Sequence, residues 1–193
     1  LGYTGTGMTI AIIDTGLDMD HPSFAADPAM NEYSWDVDYV ASKLSGLNAA
    51  LINPSITAEA LYMNAKVPFA FNYVTGTKNV NHDPNVGDHG SHVAGIAAAN
   101  AVEGTNVVGM APDAQLVIMQ VFTPGEGAKM PHILAALEDA MALGCDVANL
   151  SLGSPAGFSS MDPEVDAIYA RIAESDIIVD IAAGNEGTSS YGN

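Results

Sequence analysis

Four short apolar runs, rich in β-branched residues, are the feature that most constrains how this chain can fold. Each run is apolar on both faces, which is typical of strands in a buried parallel sheet. Helical patterns separate the later runs. Strands that alternate with helices favour an α/β fold, a doubly wound and mainly parallel sheet with helices on both faces. The predicted strands are Met8–Asp14, Leu116–Phe122, Asp146–Leu152 and Ile177–Ala183.

Two of the predicted helices have recognisable ends. The segment Pro131–Leu143 has proline in its first turn and an apolar stripe at helical spacing, and Gly144 follows as a stop signal. The segment Asp162–Ser175 begins with an aspartate cap followed by Pro163. A chain of 193 residues fits one domain with a sizeable core.

The interval Met30–Gly87 has a different character because it is polar and contains the pairs Asn53-Pro54 and Val67-Pro68. We interpret it as a long insertion, at about residues 30–87, that lies over the edge of the sheet. It is expected to hold one short helix near Ser55–Asn64. A hairpin-like segment, Phe69–Val74, is expected to return the chain to the sheet.

Composition excludes several classes of partner. The formal net charge is −18, from 23 acidic and 5 basic residues, which argues against nucleic acid and anionic membranes. No apolar run is long enough to span a bilayer. The single cysteine, Cys145, excludes an internal disulfide and is expected to be a small buried apolar residue.

Three polar side chains are predicted to meet at one edge of the sheet. Asp14 ends the first apolar run, and His89 begins a helix of small residues. An aspartate that orients an imidazole, and an imidazole that takes a proton from a nucleophile, are two of the three groups of a hydrolytic triad. Asn185 follows the fourth run and offers an amide that could donate to a developing oxyanion. Ligands of open parallel sheets bind at this edge, beyond the carboxyl ends of the strands.

Other segments at this edge have alternative interpretations. Gly125, Glu126 and Gly127 form either a flexible loop or an extended segment that pairs with a substrate chain opposite Ser151–Gly153. His89 and His92 share a helix face and lie near Asp83 and Asp88, but no third ligand has a recognisable spacing, so no metal site is predicted here. Asp180 interrupts an apolar strand, and the sequence does not identify its partner.

Taken together, five segments resemble the subtilisin-like serine peptidase family, in the right order and over most of the chain: IAIIDTGLDMDHPSF, DHGSHVAGIAAAN, VVGMAP, DVANLSLGS and IAAGNEG. The resemblance implies that Asp14 orients His89, that His89 is the general base, and that Asn185 donates to the oxyanion. It also implies that Gly125, Glu126 and Gly127 form a substrate-pairing edge. The specificity pocket would be lined by Ser151, Leu152, Gly153 and Gly184.

The long interval between the first two motifs is similar to that of the lactocepin-like cell-envelope proteinases of Gram-positive bacteria. The chain departs from the family in one respect, because the GTSMA-like segment that bears the nucleophile is absent. Ser189 is rejected as nucleophile, since one tight loop cannot place both it and Asn185 across a substrate carbonyl. The serine is therefore expected beyond residue 193, and this segment alone is expected to be inactive.

The resemblance implies a secreted or cell-wall-associated serine endopeptidase, with a protein or peptide as substrate and the serine-bearing part of the same protein as partner. The alternative is a non-catalytic peptide-binding scaffold derived from such an enzyme. No cofactor is expected to be required. Structural calcium is a further expectation, in the loop Asn100–Val107 with oxygens from Asn100, Glu103 and Asn106.

Overall fold

A five-stranded, all-parallel sheet forms the centre of the molecule in the computed structural model, which describes residues 2–25, 28–81, 83–103, 107–153 and 163–185. The strand order is β2-β3-β1-β6-β7, so β1 is the middle strand. A short antiparallel hairpin, β4–β5, lies apart from it. The strands are β1 (Thr9–Asp14), β2 (Phe69–Asn72), β3 (Gln115–Gln120), β4 (Phe122–Thr123), β5 (Gly127–Ala128), β6 (Val147–Leu150) and β7 (Ile178–Ile181).

The described helices follow the sequence signals at their ends. The fifth helix has proline in its first turn and ends at Gly144, whose left-handed backbone (φ +87°) suits glycine. The last helix begins at Pro163; its predicted cap, Asp162, lies outside the described residues. The helices are α1 (Val37–Lys43), α2 (Asn48–Ile52), α3 (Ala58–Leu61), α4 (His89–Ala98), α5 (Met130–Leu143) and α6 (Pro163–Glu174).

Both faces of the sheet are buried around its central strands, β1 and β3, whereas the edge strand β7 is largely exposed. Successive residues of β1 point to opposite faces. Ala11 and Ile13 belong to the cluster that includes α5, whereas Ile12 belongs to the cluster that includes α4. Alanines at 94 and 98 let α4 pack closely on this second face. The predicted doubly wound α/β architecture is confirmed.

The interval between residues 30 and 87 contributes more to the fold than its polar composition indicated. The hairpin-like segment predicted at Phe69–Val74 is mainly an edge strand, Phe69–Asn72, that pairs parallel with β3. The chain does turn back directly after it, where Asn72 and Thr77 form an isolated antiparallel bridge. Every residue of this strand is buried. The short helix predicted near residues 55–64 is present as α3, and two further helices, α1 and α2, precede it.

The structure gives the surroundings of Cys145 and Asp180. Cys145 is buried, and burial raises the pKa of its thiol, so it behaves as a small apolar residue. Asp180 is exposed on β7, which pairs with β6 on one side, and its charge therefore stays in contact with water. The longest described helix has 14 residues, and none of the described helices has the length and hydrophobicity of a membrane span.

Candidate active site

Asp14 and His89 form a close pair at the carboxyl end of the middle strand. The Nδ1 atom of His89 lies 2.9 Å from Oδ1 and 3.0 Å from Oδ2 of Asp14. Asp14 is 1% exposed, whereas the side chain of His89 is 55% exposed. A carboxylate at Nδ1 favours the tautomer whose Nε2 can accept a proton. The pair therefore consists of a buried carboxylate and an accessible imidazole.

The start of α4 is held against the end of β1 by direct backbone contact. A Cβ atom at Gly90 would lie 2.3 Å from the carbonyl oxygen of Gly16 and 3.2 Å from Cβ of Asp14, so only glycine fits there. Gly16 has φ +108°, and a Cβ atom on it would lie 2.3 Å from the carbonyl oxygen of Val80. The two glycines let the imidazole and the carboxylate approach each other across 75 residues of sequence.

Hydrogen bonds to two hydroxyl groups also join the start of α4 to the end of β1. The amide of Gly90 donates to Oγ1 of Thr15 at 2.8 Å, and the amide of Asp18 donates to Oγ of Ser91 at 2.7 Å. The amide of Thr15 donates to Oδ1 of Asp14 at 2.7 Å. Thr15 is not among the site residues predicted from the sequence. The available signal was a hydroxyl residue directly after the aspartate, matched by a glycine directly after the histidine.

Gly184 and Asn185 lie past the carboxyl end of β7, the second strand from β1. Both residues are exposed, and Gly184 has φ +89°. Neighbouring strands are about 4.8 Å apart, so this loop begins about 10 Å from Asp14 along the same edge of the sheet. The structure therefore brings Asn185 to the predicted edge.

Ser151, Leu152 and Gly153 leave β6, the strand between the two. The hydroxyl of Ser151 is in contact with the side chain of Asn149, whose Nδ2 atom lies 2.9 Å from it. Leu152 is half-buried against the apolar cluster on the α5 face, and Gly153 is exposed. These three residues occupy the edge between Asp14 and Asn185, and their role as a wall of the specificity pocket stays a prediction.

Gly125, Glu126 and Gly127 form the tight end of the β4–β5 hairpin rather than a fully extended segment. Gly125 and Gly127 have φ values of +73° and +78°, and the amide of Glu126 donates to the carbonyl of Thr123. Glu126 forms an ion pair with Lys129 that lowers the pKa of the Glu126 carboxyl. Of these three residues only Gly127 is in a strand, and a pairing role in substrate binding stays a prediction.

Two possible metal sites concern residues that the structure describes, one near His92 and one in the loop after α4. His92 faces Asp88, with Nε2 and Oδ2 3.5 Å apart. Across the described ranges, no three His, Cys, Asp or Glu side chains gather as a metal-binding group. In the loop predicted to bind calcium, Oδ1 of Asn100 is buried without a hydrogen-bond partner among these residues, which suits an oxygen ligand. Glu103 is exposed, and Asn106 lies outside the described residues.

The site is a buried carboxylate in contact with an accessible imidazole at the edge of a parallel α/β sheet, and comparison with known proteins gives the family. The subtilase (peptidase S8) family model matches residues 5–193. This chain belongs to that family. The resemblance to subtilisin-like serine peptidases is thus confirmed.

The relatives are bacterial proteinases. The PII-type proteinase of Lactococcus lactis subsp. cremoris is 34% identical over 194 residues, which cover 97% of this chain and 10% of that protein. Subtilisin E of Bacillus subtilis (strain 168) is 31% identical over 189 residues, covering 97% of this chain and 37% of its own length. The chain thus spans about a tenth of the lactococcal proteinase.

A solved structure supports the fold. The crystal structure of a lanthipeptide protease matches 96% of this chain and 42% of its own, with a TM-score of 0.57 and 24% sequence identity. At this identity the likeness concerns the fold alone.

Proposed function

We propose that this chain is the aspartate- and histidine-bearing, N-terminal part of the catalytic domain of a serine endopeptidase, with an insertion at about residues 30–87. The observation that carries the proposal is the contact between Asp14 and His89, with Nδ1 2.9 Å from the carboxylate. The nucleophilic serine is supplied by sequence beyond residue 193.

In this proposal Nε2 of His89 accepts the proton of the serine hydroxyl as the oxygen attacks the peptide carbonyl. Asp14 keeps the imidazole in the required tautomer and stabilises the imidazolium that forms. The amide of Asn185 donates to the negatively charged oxygen of the tetrahedral intermediate. His89 then returns the proton to the leaving amine, and a water molecule releases the acyl group by the reverse sequence.

The substrate is a protein or peptide whose backbone pairs with the β4–β5 hairpin at Gly125–Gly127 and lies opposite Ser151–Gly153. Gly184 leaves room for a side chain in the pocket beside the cleaved bond. The minor extracellular protease Vpr of Bacillus subtilis (strain 168), a relative of this chain, supports a secreted or cell-wall-associated location. The remaining, serine-bearing part of the same protein is the required partner.

Structural calcium belongs to this proposal, whereas the reaction itself needs no cofactor. The buried, unpartnered Oδ1 atom of Asn100 is one suitable ligand. Glu103 and Asn106 would add oxygens from the same loop. Calcium bound there would join the end of α4 to the following loop and stabilise the face of the sheet that carries His89.

The experiment labels the full-length protein with a fluorophosphonate, which modifies only an activated serine. We expect labelling of the wild type, and a loss of labelling and of peptide hydrolysis in His89→Ala. Asp14→Asn should lower kcat by about 10⁴-fold because it favours the wrong tautomer. The matched control is His92→Ala, three residues along the same helix with an exposed side chain, which should retain activity.

Two results would contradict the proposal. The first is a wild type that is not labelled yet binds peptides, which would indicate the non-catalytic scaffold. The second is robust, His89-dependent turnover by the isolated 193-residue chain, because the proposal places the serine outside it.

A further inference from the structure

The first turn of α4 lacks a side-chain cap from its own sequence. Asp88 occupies the N-cap position, but its side chain makes no capping hydrogen bond and faces His92 instead. Helices leave their first amides without intrahelical partners, and those amides need another acceptor. At Gly90 the acceptor is the hydroxyl of Thr15, 2.8 Å away and contributed by the end of β1.

Thr15 thereby holds both members of the catalytic pair. Its amide donates to Oδ1 of Asp14 at 2.7 Å, and its hydroxyl accepts from the residue that follows His89. Thr15 is 5% exposed, so water cannot easily replace either hydrogen bond. One buried residue therefore sets the distance between the carboxylate and the helix that carries the imidazole.

We infer that Thr15 is a positioning residue for catalysis, whose hydroxyl caps α4 from the neighbouring strand and keeps His89 in register with Asp14. The inference rests on the proposed function. The hydrogen bond from the amide of Asp18 to the hydroxyl of Ser91 joins the same two segments one residue further along α4. Thr15 does not touch the reacting atoms and acts through the placement of His89.

The test compares Thr15→Val with Thr15→Ser in the full-length protein. Valine keeps the shape but removes the acceptor, so we expect kcat to fall roughly 10- to 100-fold, because small displacements of a catalytic group are costly. KM should stay within about threefold, because the hydroxyl does not contact substrate. Serine restores the acceptor and should restore most of kcat. A purely structural role would not give this separation of kcat from KM.

The matched control is Thr57→Val. Thr57 caps α3, with its hydroxyl accepting from the amide of Ala60, and α3 packs on the opposite face of the sheet from α4. This variant loses a threonine cap of the same kind away from the site. It should keep the wild-type kcat even where its thermal midpoint falls.

Hydrogen exchange followed by mass spectrometry gives a readout that does not need activity. In Thr15→Val the amide of Gly90 should exchange at least about tenfold faster, while the amides of β3 keep their protection. Wild-type kcat, or unchanged exchange at Gly90, in Thr15→Val would overturn the inference. If the wild type fails to react with fluorophosphonate, the proposed function fails, and exchange at Gly90 still decides whether Thr15 caps α4.

Discussion

At the scale of the residue, Lys66 is an ammonium group held inside the protein. Its side chain is fully buried, and Nζ donates to the carbonyl oxygens of Pro112 and Ala114 at 2.7 and 2.8 Å. Burial lowers the pKa of Lys66 to about 8, although the charge of Asp113 acts in the opposite direction. The protein therefore carries a titrating group in its core near neutral pH.

The lowered pKa of Lys66 predicts a specific dependence of stability on pH. Between about pH 8 and 10.5 the folded state binds fewer protons than the unfolded state, so the contribution of Lys66 to the free energy of unfolding rises with pH. We expect the difference in the free energy of unfolding between wild type and Lys66→Met to shift by about 2–3 kcal/mol in favour of the wild type over this range. Urea unfolding at pH 7, 8, 9 and 10 measures it.

The free energies of unfolding of wild type and Lys66→Met must be compared at each pH, because other groups titrate in the same range. Burial also raises the pKa of Tyr73 and of Cys145, and these groups act equally in both proteins. A difference that does not change with pH would show that Lys66 keeps an ordinary pKa.

The residues of the candidate site differ in how far sequence could predict them. Asp14 and His89 lie in segments whose composition is unusual by itself, a buried run that ends in a carboxylate and a helix of small residues. Thr15 has only a weak signal, a hydroxyl residue directly after the aspartate, because its partner, the amide of Gly90, is 75 residues away and is placed by the packing of α4 on β1. The burial of Lys66 likewise has no local signal, because its carbonyl partners, Pro112 and Ala114, lie 46 and 48 residues away.

At the scale of the element, α5 anchors the helices that precede the sheet's edge strand. The carboxylate of Asp139 accepts from the amides of Asn48 and Ala49, at 2.6 and 2.9 Å, and from the hydroxyl of Tyr73 at 2.8 Å. Asp139 thereby caps α2, whose own N-cap residue is Leu47 and makes no side-chain cap. Burial raises the pKa of Asp139, with the donated hydrogen bonds acting in the opposite direction.

Replacing Asp139 by asparagine should loosen this anchor. The amide side chain has one acceptor oxygen, so at least one buried donor loses its partner, and we expect a loss of about 2–3 kcal/mol in the free energy of unfolding. The control is Glu138→Gln on the same helix, whose carboxylate pairs with the exposed Arg171 and accepts from the side-chain amide of Asn48. Glutamine keeps an acceptor oxygen for Asn48 and loses only the exposed ion pair, so a change under about 1 kcal/mol is expected there. Equal effects of the two substitutions in denaturant unfolding would refute the anchoring role of Asp139.

Elements with strong periodicity were predictable, and those stabilised by tertiary contacts were not. The four apolar runs correspond to β1, to β3 with the start of β4, to β6 and to β7. In contrast, α1 and α2 are short helices that each bury one residue, Val40 and Ala49, in the apolar cluster that includes α5. The strand β2 is four residues long, and its parallel pairing with β3 depends on contacts 48 residues apart along the chain.

At the scale of the whole molecule, the charge balance favours cations. A net charge of −18 attracts divalent ions to the surface and makes the folded state repel itself. The loop after α4 offers such an ion at least one buried oxygen, Oδ1 of Asn100. At this scale the fold class was predictable from the sequence. The ligands of a cation were not, because they depend on the conformation of a loop.

We expect calcium to stabilise the protein through this loop. The thermal midpoint should be roughly 5–10 °C higher in saturating calcium than in a chelator, as for a site filled far above its dissociation constant. Asn100→Ala should reduce this difference, and magnesium should not replace calcium. Differential scanning calorimetry with and without EDTA is the measurement. A midpoint that EDTA leaves unchanged would remove calcium from the proposal.

The unequal exposure of Asp14 and His89 has a chemical consequence. A reagent dissolved in water meets the imidazole, whose side chain is 55% exposed, but is shielded from the carboxylate behind it. Alkylating agents in solution can thus modify His89 in the folded protein. Carbodiimides, which activate carboxyl groups, can react with Asp14 only when α4 separates from β1. Inhibitors that react with side chains can therefore modify His89, whereas Asp14 is changed only by mutation or exposed only by unfolding.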